Sequence, residues 1–361
     1  MHALYSRHVD IPRTCGLYCK WECRFIAHTA RDDDHRMPMM KQGIQIFVML
    51  ACVGTMPARA QQDYPVKPIR LIIPFVPGGA NDMIGRVVGM KITEAHGQQV
   101  VIENRGGAGG SLGVEVAAKS PPDGYTLVLG NIANLSVNPT LYRKLAYNPV
   151  TDLQAITLIA KVPTILAVHP SLPARNVIEL IALARAQPGK LTFGTGGGGS
   201  GSHLTMELFR LQTKLDMVHI PYKGVGPAMI DLLAGQITMS FGAVPGVLPY
   251  ARSGRLRALG VSGPKRIAAL PELPTVAQAG VPGFESTLWY GMLAPAGTPM
   301  PIINRLHATL TRALQSADMK ERFAAEGSEP IGSTPQEFQS FIKSEIERWA
   351  LVVKASGMKA E

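Results

Sequence analysis

The chain predicts an α/β protein built as two hinged domains around a cleft, and three observations carry the prediction. Apolar strand-like runs alternate with helix-like runs. Three glycine-rich junctions, at 77–80, 106–110 and 194–202, stand between such runs. Two segments, near residues 162 and 286, cross from one block to the other. Alternation at this spacing is the signature of a parallel sheet covered by helices. A length of 361 residues, with 46% hydrophobic and 17% charged residues, suffices for two domains with sizeable cores.

In the first block, 69–75 reads as an apolar strand. Residues 81–95 carry apolar side chains at helical spacing and are closed by Gly97. A strand over 99–103, a short helix over 112–119 and a strand over 126–129 follow, the last after the turn signal Pro121-Pro122-Asp123-Gly124. The second block opens near 161–163. It predicts a strand over 164–168, a helix over 177–186 and a strand over 191–193 entering the third glycine junction. Helices over 204–211 and 227–234 and strands over 218–220 and 237–241 complete it. A strand-like run over 287–293 leaves this block, and helices over 301–316, 319–326 and 335–355 return to pack on the first. The implied division is lobe 1 from 61–162 plus 286–361, and lobe 2 from 163–285.

Residues 1–60 are read as outside the fold. Lys41, an apolar run over 43–56 and Ala58-Arg59-Ala60 make a secretory signal cut after Ala60, which predicts a periplasmic protein. The polar stretch before Met39 reads as a misplaced gene start. Met49-Leu50-Ala51-Cys52 is a poor match to a lipidation site. All four cysteines, Cys15, Cys19, Cys23 and Cys52, fall in this part, and the 15–23 spacing lacks a fourth metal ligand, so neither disulfide nor metal chemistry is expected. The excess of 36 Lys and Arg over 26 Asp and Glu persists beyond residue 60. It favours anionic solutes; the scattered basic residues, with few aromatics between them, argue against nucleic acid.

The glycine junctions are where chemistry is expected. A helix starting there points free N–H groups and the positive end of its dipole at whatever lies above, an arrangement that holds carboxylates or phosphates. The alternative is that glycine turns merely connect strands to helices; three such junctions divided between two blocks favour a shared site. Asp82 is read as structural, a helix-start residue paired with Arg86. Gly194-x-Gly196-x-x-Gly199, with Asp216 downstream, matches a dinucleotide fingerprint, but consecutive glycines satisfy many patterns and a secreted protein seldom meets that cofactor. No catalytic pattern of nucleophile, base or metal ligands appears, so neither enzyme activity nor a cofactor is expected. Among the histidines only His203, after the third junction, is placed to approach a ligand.

Tyr64-Pro-x-Lys-Pro-Ile69, Pro74-Phe-x-Pro-Gly-Gly79, Gly97-Gln-x-Val-Val-Ile-Glu-Asn104, Pro122-Asp-Gly-Tyr-Thr126, Asn138-Pro139, Pro221-Tyr-Lys-Gly224 and Trp289-Tyr-Gly291 with Pro295-Ala-Gly-Thr-Pro299 resemble, in order and spacing, the Bug (Bordetella uptake gene) or TctC-like receptors. The resemblance spans about residues 62 to 355. It implies a two-lobed periplasmic binding protein of Venus-flytrap, type II-like fold that captures a small di- or tricarboxylate. Such a receptor hands its ligand to a tripartite transporter permease of one large and one small membrane subunit. By position, Pro77, Gly78, Gly79, Ala80 and Asn81 would hold one carboxylate, flanked by Gly109, Gly110, Asn131 and Asn134. Gly198, Ser200, Ser202, His203, Tyr222 and Lys223 would meet the other end of the ligand, with Trp289 on the cleft floor. The family's frequent Asp after Gly-Gln-(Val/Ile) is Thr238 here, which counts against an amino-acid ligand if that Asp reads an amino group. A monomer is expected. The alternatives are a sensory receptor of the same fold docking on a sensor kinase, and a cofactor-free hydrolase.

Overall fold

The computed structural model describes residues 64–359. The expectations for the secretory signal, the cysteines and the translation start lie outside them.

Strand β1 (Ile69–Ile73) pairs parallel with β2 (Val100–Asn104) on one side and β3 (Thr126–Asn131) on the other, so that Leu71 faces Ile102 and Leu127. Helix α1 (Ala80–His96) links the first two strands, and α2 (Ser111–Ala118) leads toward the third. A π turn over Ala133–Val137 and the short α3 (Asn138–Leu141) follow β3. The three strands, α1 and α2 are the elements the alternating pattern predicts; the π turn and α3 are not.

Beyond β3 the sheet is mixed rather than wholly parallel. β4 (Leu153–Val168) is one sixteen-residue strand, where the sequence predicts only its last five residues. Its first part, Leu153 to Pro163, pairs antiparallel with β9 (Thr287–Pro295), and β9 pairs antiparallel with β3. Its last part, Thr164 to Val168, turns to new partners, β7 (Met239–Ala243) and β8 (Arg257–Val261), again antiparallel. The parallel pattern resumes where β5 (Thr192–Thr195) lies between β6 (Val218–Pro221) and β7. The order is thus β2-β1-β3-β9-β4-β7-β5-β6, and β4 is the strand through which the two halves of the sheet join. Antiparallel entry is the route open to a strand that arrives from a long loop rather than from a crossover helix.

Helices α4 (Val177–Ala186), α5 (Gly201–Thr213) and α6 (Val225–Leu233) cover the second half. α7 (Val244–Arg252), which contains Pro249, was not predicted, and neither was β8. After β9 come α8 (Met300–Gln315), α9 (Ala317–Ala325), the two-residue β10 (Glu329–Pro330) and α10 (Pro335–Ser356). Ile303, Leu306, Leu310 and Leu314 bury one stripe of α8 in the core around β1. α10 starts at a reciprocal capping box, Thr334 with Glu337, and lays Phe338, Ile342 and Trp349 on the opposite face of the sheet. Gly291 is required by that packing, because a Cβ there would stand 1.9 Å from Cζ of Phe338.

One charge lies inside this stripe. Glu345 is 5% exposed, and its Oε2 accepts both the Trp289 indole N–H (2.8 Å) and that of Trp349 (2.9 Å). Two buried donors therefore depend on one carboxylate, which ties the β9 crossing to the last helix. Replacing it strands both N–H groups. Glu345→Ala should cost about 3 kcal/mol in urea unfolding monitored by tryptophan fluorescence, whereas Glu347→Ala, on the same helix, should change stability by less than about 0.5 kcal/mol.

Candidate functional site

The first glycine loop joins β1 to α1. Its residues Pro77, Gly78 and Gly79 are exposed, and a Cβ at Gly78 or Gly79 would meet nothing within 4 Å, so open space lies above the loop. No side chain caps α1 at Gly79, and the first intrahelical bond runs from Met83 N to the Gly79 carbonyl (3.0 Å), so the N–H groups of Gly79, Ala80, Asn81 and Asp82 have no intrahelical acceptor. The Gly78 N–H is an exception. It donates to Oδ2 of Asp82 (3.0 Å), so this amide, expected to hold ligand, braces the loop instead. Asp82 also accepts Nδ2 of Asn104 (3.0 Å) and Nε of Arg86 (3.0 Å). Burial alone would raise its pKa, but these three donors outweigh it and hold the carboxyl below its ordinary value. The structural reading of Asp82 thus agrees with its partners.

Beneath the loop lies a set of buried amides. Oδ1 of Asn131, at the end of β3, accepts the backbone N–H groups of Ala133 (3.0 Å) and Asn134 (3.3 Å). Its Nδ2 must then face outward, and it donates to Oδ1 of Asn81 (3.2 Å). Asn81 is oriented in turn, with Nδ2 buried and without a partner. Asn134 accepts the Asn131 N–H through Oδ1 (2.9 Å), which leaves its own Nδ2 buried and unpaired, 2.8 Å from where a Cβ of Gly110 would lie. Asn138 closes the group by donating Nδ2 to the Gly109 carbonyl (3.1 Å) and to Oγ of Ser111 (2.8 Å). The structure thus brings together Asn81, Gly109, Gly110, Asn131 and Asn134 as the sequence anticipates. Ser136, at the end of the segment after β3 that the resemblance places beside the ligand, has a buried hydroxyl that is also unpaired, whereas Asn138 was not among the expected residues. The signal that could have found Asn138 is the run of polar residues at 131, 134, 136 and 138 directly after an apolar strand.

The third glycine loop arrives from the other half of the sheet. Gly199, at φ +73°, lies against this group: a Cβ there would meet Leu141 Cδ2 at 2.7 Å and Asn138 Oδ1 at 3.8 Å. Its shape is held from within. Gly196 N donates to Ser202 Oγ (3.0 Å), Gly197 N to Thr195 Oγ1 (3.3 Å), and Ser200 caps α5 by accepting from His203 N. Ser200 and Ser202 therefore brace the loop, and Gly198 is half-buried at its turn. His203 is turned beneath the loop. Its Nδ1 accepts from Gly199 N (3.2 Å), its ring stacks on His219 at 4.0 Å, and its Nε2 lies 3.6 Å from Glu207. Burial, and then the neighbouring His203, push His219 down to about 4. His203 reaches the loop through Gly199 rather than standing above it.

Trp289 stands apart from the amide group, and Tyr222 lies at the start of the third loop, as expected, with its N–H donating to the Thr195 carbonyl (3.1 Å). Trp289 is 1% exposed, packed on Phe338 and Phe341 with its indole given to Glu345, so it faces α10. Tyr222 donates its hydroxyl to Asp231 (2.7 Å), and burial together with that carboxylate pushes the phenol up to about 12. Lys223 is exposed. Thr238 sits just before β7, bonded to Thr192 at the strand end opposite the glycine loop, so the ligand-reading role inferred for that position does not follow.

Residues 84–358 match the family model described as tripartite tricarboxylate transporter family receptor. The chain is 40% identical to Protein BugT of Bordetella pertussis over 315 residues, 87% of this chain and 97% of that protein. Among solved structures, R. palustris Rpa4515 with adipate superposes at TM-score 0.78 with 37% identity, covering 82% of this chain and 99% of that one. MatC from Rhodopseudomonas palustris with bound malate does so at TM-score 0.74 with 31% identity, covering 80% and 100%. The mixed sheet is accordingly that of a two-lobed periplasmic binding protein.

The lowered Asp82 pKa sets a pH dependence. With the folded value below the unfolded one, its contribution to stability is present above the unfolded carboxylate range and is lost as pH falls through the folded value. Urea unfolding from neutral pH down to about pH 3 should show that loss. Asp82→Asn should flatten it and cost about 1–3 kcal/mol at neutral pH.

Proposed function

The chain belongs to the tripartite tricarboxylate transporter receptor family, extracytoplasmic solute-binding proteins rather than enzymes, and on that premise we propose that it captures a small di- or tricarboxylate between two lobes. The observation that carries the reading is a pair of buried, unpartnered amide donors, Nδ2 of Asn81 and of Asn134, behind an uncapped helix start with open space above it. Leaving such donors unpaired costs about 1–3 kcal/mol each, and a carboxylate offers the acceptors they lack. The ligands that two similar structures carry, adipate and malate, support the same chemistry.

In this reading lobe 1 comprises 61–162 plus 286–361 and lobe 2 comprises 163–285. The hinge lies where β4 exchanges β9 for β7 and β8. N–H groups of Gly79, Ala80 and Asn81 receive one carboxylate, and the loop from Gly194 to Ser202 closes on the other end. Closure is a rigid-body hinge motion driven by the tighter binding of the closed form. The ligand-loaded monomer then docks on a permease of one large and one small subunit, after a secretory signal cut behind Ala60 has delivered it to the periplasm.

A thermal-shift screen of the protein beginning at Gln61, against adipate, malate and related acids, tests this. Ligand at a hundred times Kd adds about 2.7 kcal/mol of stability. Gly79→Val should abolish the shift without lowering the ligand-free Tm, because the added methyls enter open space. No shift from any carboxylate, or an unchanged response in the variant, would contradict the proposal.

A further inference from the structure

One polar atom in the amide group has the opposite character from the two donors. Oδ1 of Asn138 is buried and unpartnered, in a residue 0% exposed. Its orientation is fixed, because exchanging the amide's ends would set an oxygen against the Gly109 carbonyl now held by Nδ2. It lies between the two lobes' glycine loops, 3.3 Å from a Cβ position at Gly109 and 3.8 Å from one at Gly199. Three neighbouring donors are committed elsewhere, Gly199 N to His203, Gly110 N to the Gly107 carbonyl and the Tyr147 hydroxyl to the Asn134 carbonyl, and the two unpaired ones, Asn134 Nδ2 and the Ser136 hydroxyl, make no bond to it.

We propose that Asn138 Oδ1 accepts a hydrogen bond from a hydroxyl of the bound ligand, making Asn138 a specificity residue for hydroxycarboxylates. The inference rests on the carboxylate reading above and adds the substituent that the site selects. A hydroxyl fits better than an ammonium. The acceptor is a neutral amide, and the Asp82 carboxylate at the first glycine loop is already filled by Gly78, Asn104 and Arg86, so a buried cation would lack a counter-charge. A site with such an acceptor discriminates against the ligand lacking the donor, since binding that ligand leaves the acceptor dry and unpaired.

Calorimetric titration with pairs that differ only in the hydroxyl, malate against succinate and 2-hydroxyglutarate against glutarate, reads this directly, with aspartate as the ammonium arm. The hydroxy acid should bind at least about tenfold tighter than its partner. The ratio should fall to about one in Asn138→Ala. Ser111→Ala, which removes a partner of Nδ2 and leaves Oδ1 in place, should keep it. Equal affinities within each wild-type pair overturn the inference whether or not the alanine variant folds; this would also be the outcome if a buried water occupied the acceptor. A ratio that survives in Asn138→Ala, or aspartate binding more tightly than malate, overturns it as well. Failure of every carboxylate to bind removes the carboxylate reading itself, a result distinct from binding without discrimination.

Discussion

The buried amide of Asn131 orients the polar groups on which the site depends. Its oxygen takes two backbone N–H groups of the turn that follows β3, so its nitrogen can only point toward Asn81. That one constraint propagates: Asn81 must turn its oxygen toward Asn131, which leaves its buried nitrogen without a partner. A second backbone bond, from Asn131 N to Asn134, fixes the neighbouring amide in the same sense. Backbone hydrogen bonds thus set which way two amides point whose nitrogens have no protein partner. Preorganised, unpaired donors are what a binding site needs, because the ligand then meets them without reorganising the protein.

The glycine loops take a different part from the one their composition suggests. Glycine-rich helix starts read as anion cradles, yet several of their amides are consumed internally, Gly78 by Asp82, Gly196 by Ser202 and Gly199 by His203. What glycine contributes at 199 is space. The backbone there runs against Leu141 and Asn138, and any side chain would collide with Leu141. The run of glycines in this loop, which looks bare for a contact surface, lets one half of the sheet bring its backbone up to the amides of the other.

The sequence made the strand–helix alternation legible to within a few residues over most of the chain, because apolar periodicity in α1, α4, α8 and α10 directly reports which face is buried. It did not show that β4 runs unbroken past Pro163, since a proline inside an apolar run reads as a boundary, nor that β9 enters antiparallel. α7 was hidden by its own Pro249, and β8 by its short, arginine-led sequence. At the site, the asparagines at 81, 131 and 134 were legible by position. The tie between Trp289 and Glu345, 56 residues apart, was not, because nothing in local spacing reports which strand a tail helix covers. The same limit hid the stacking of His203 on His219 and the place of Asn138 between the loops.

The account stands on the claim that the unpaired Asn81 and Asn134 amides belong to a bound carboxylate. A crystal structure of the protein with malate, at a resolution that shows ordered water, tests it most directly. The prediction is a carboxylate oxygen, or a water carrying one, within about 3 Å of both Nδ2 atoms. A carboxylate seated elsewhere, with both amides turned to protein acceptors, would contradict the account.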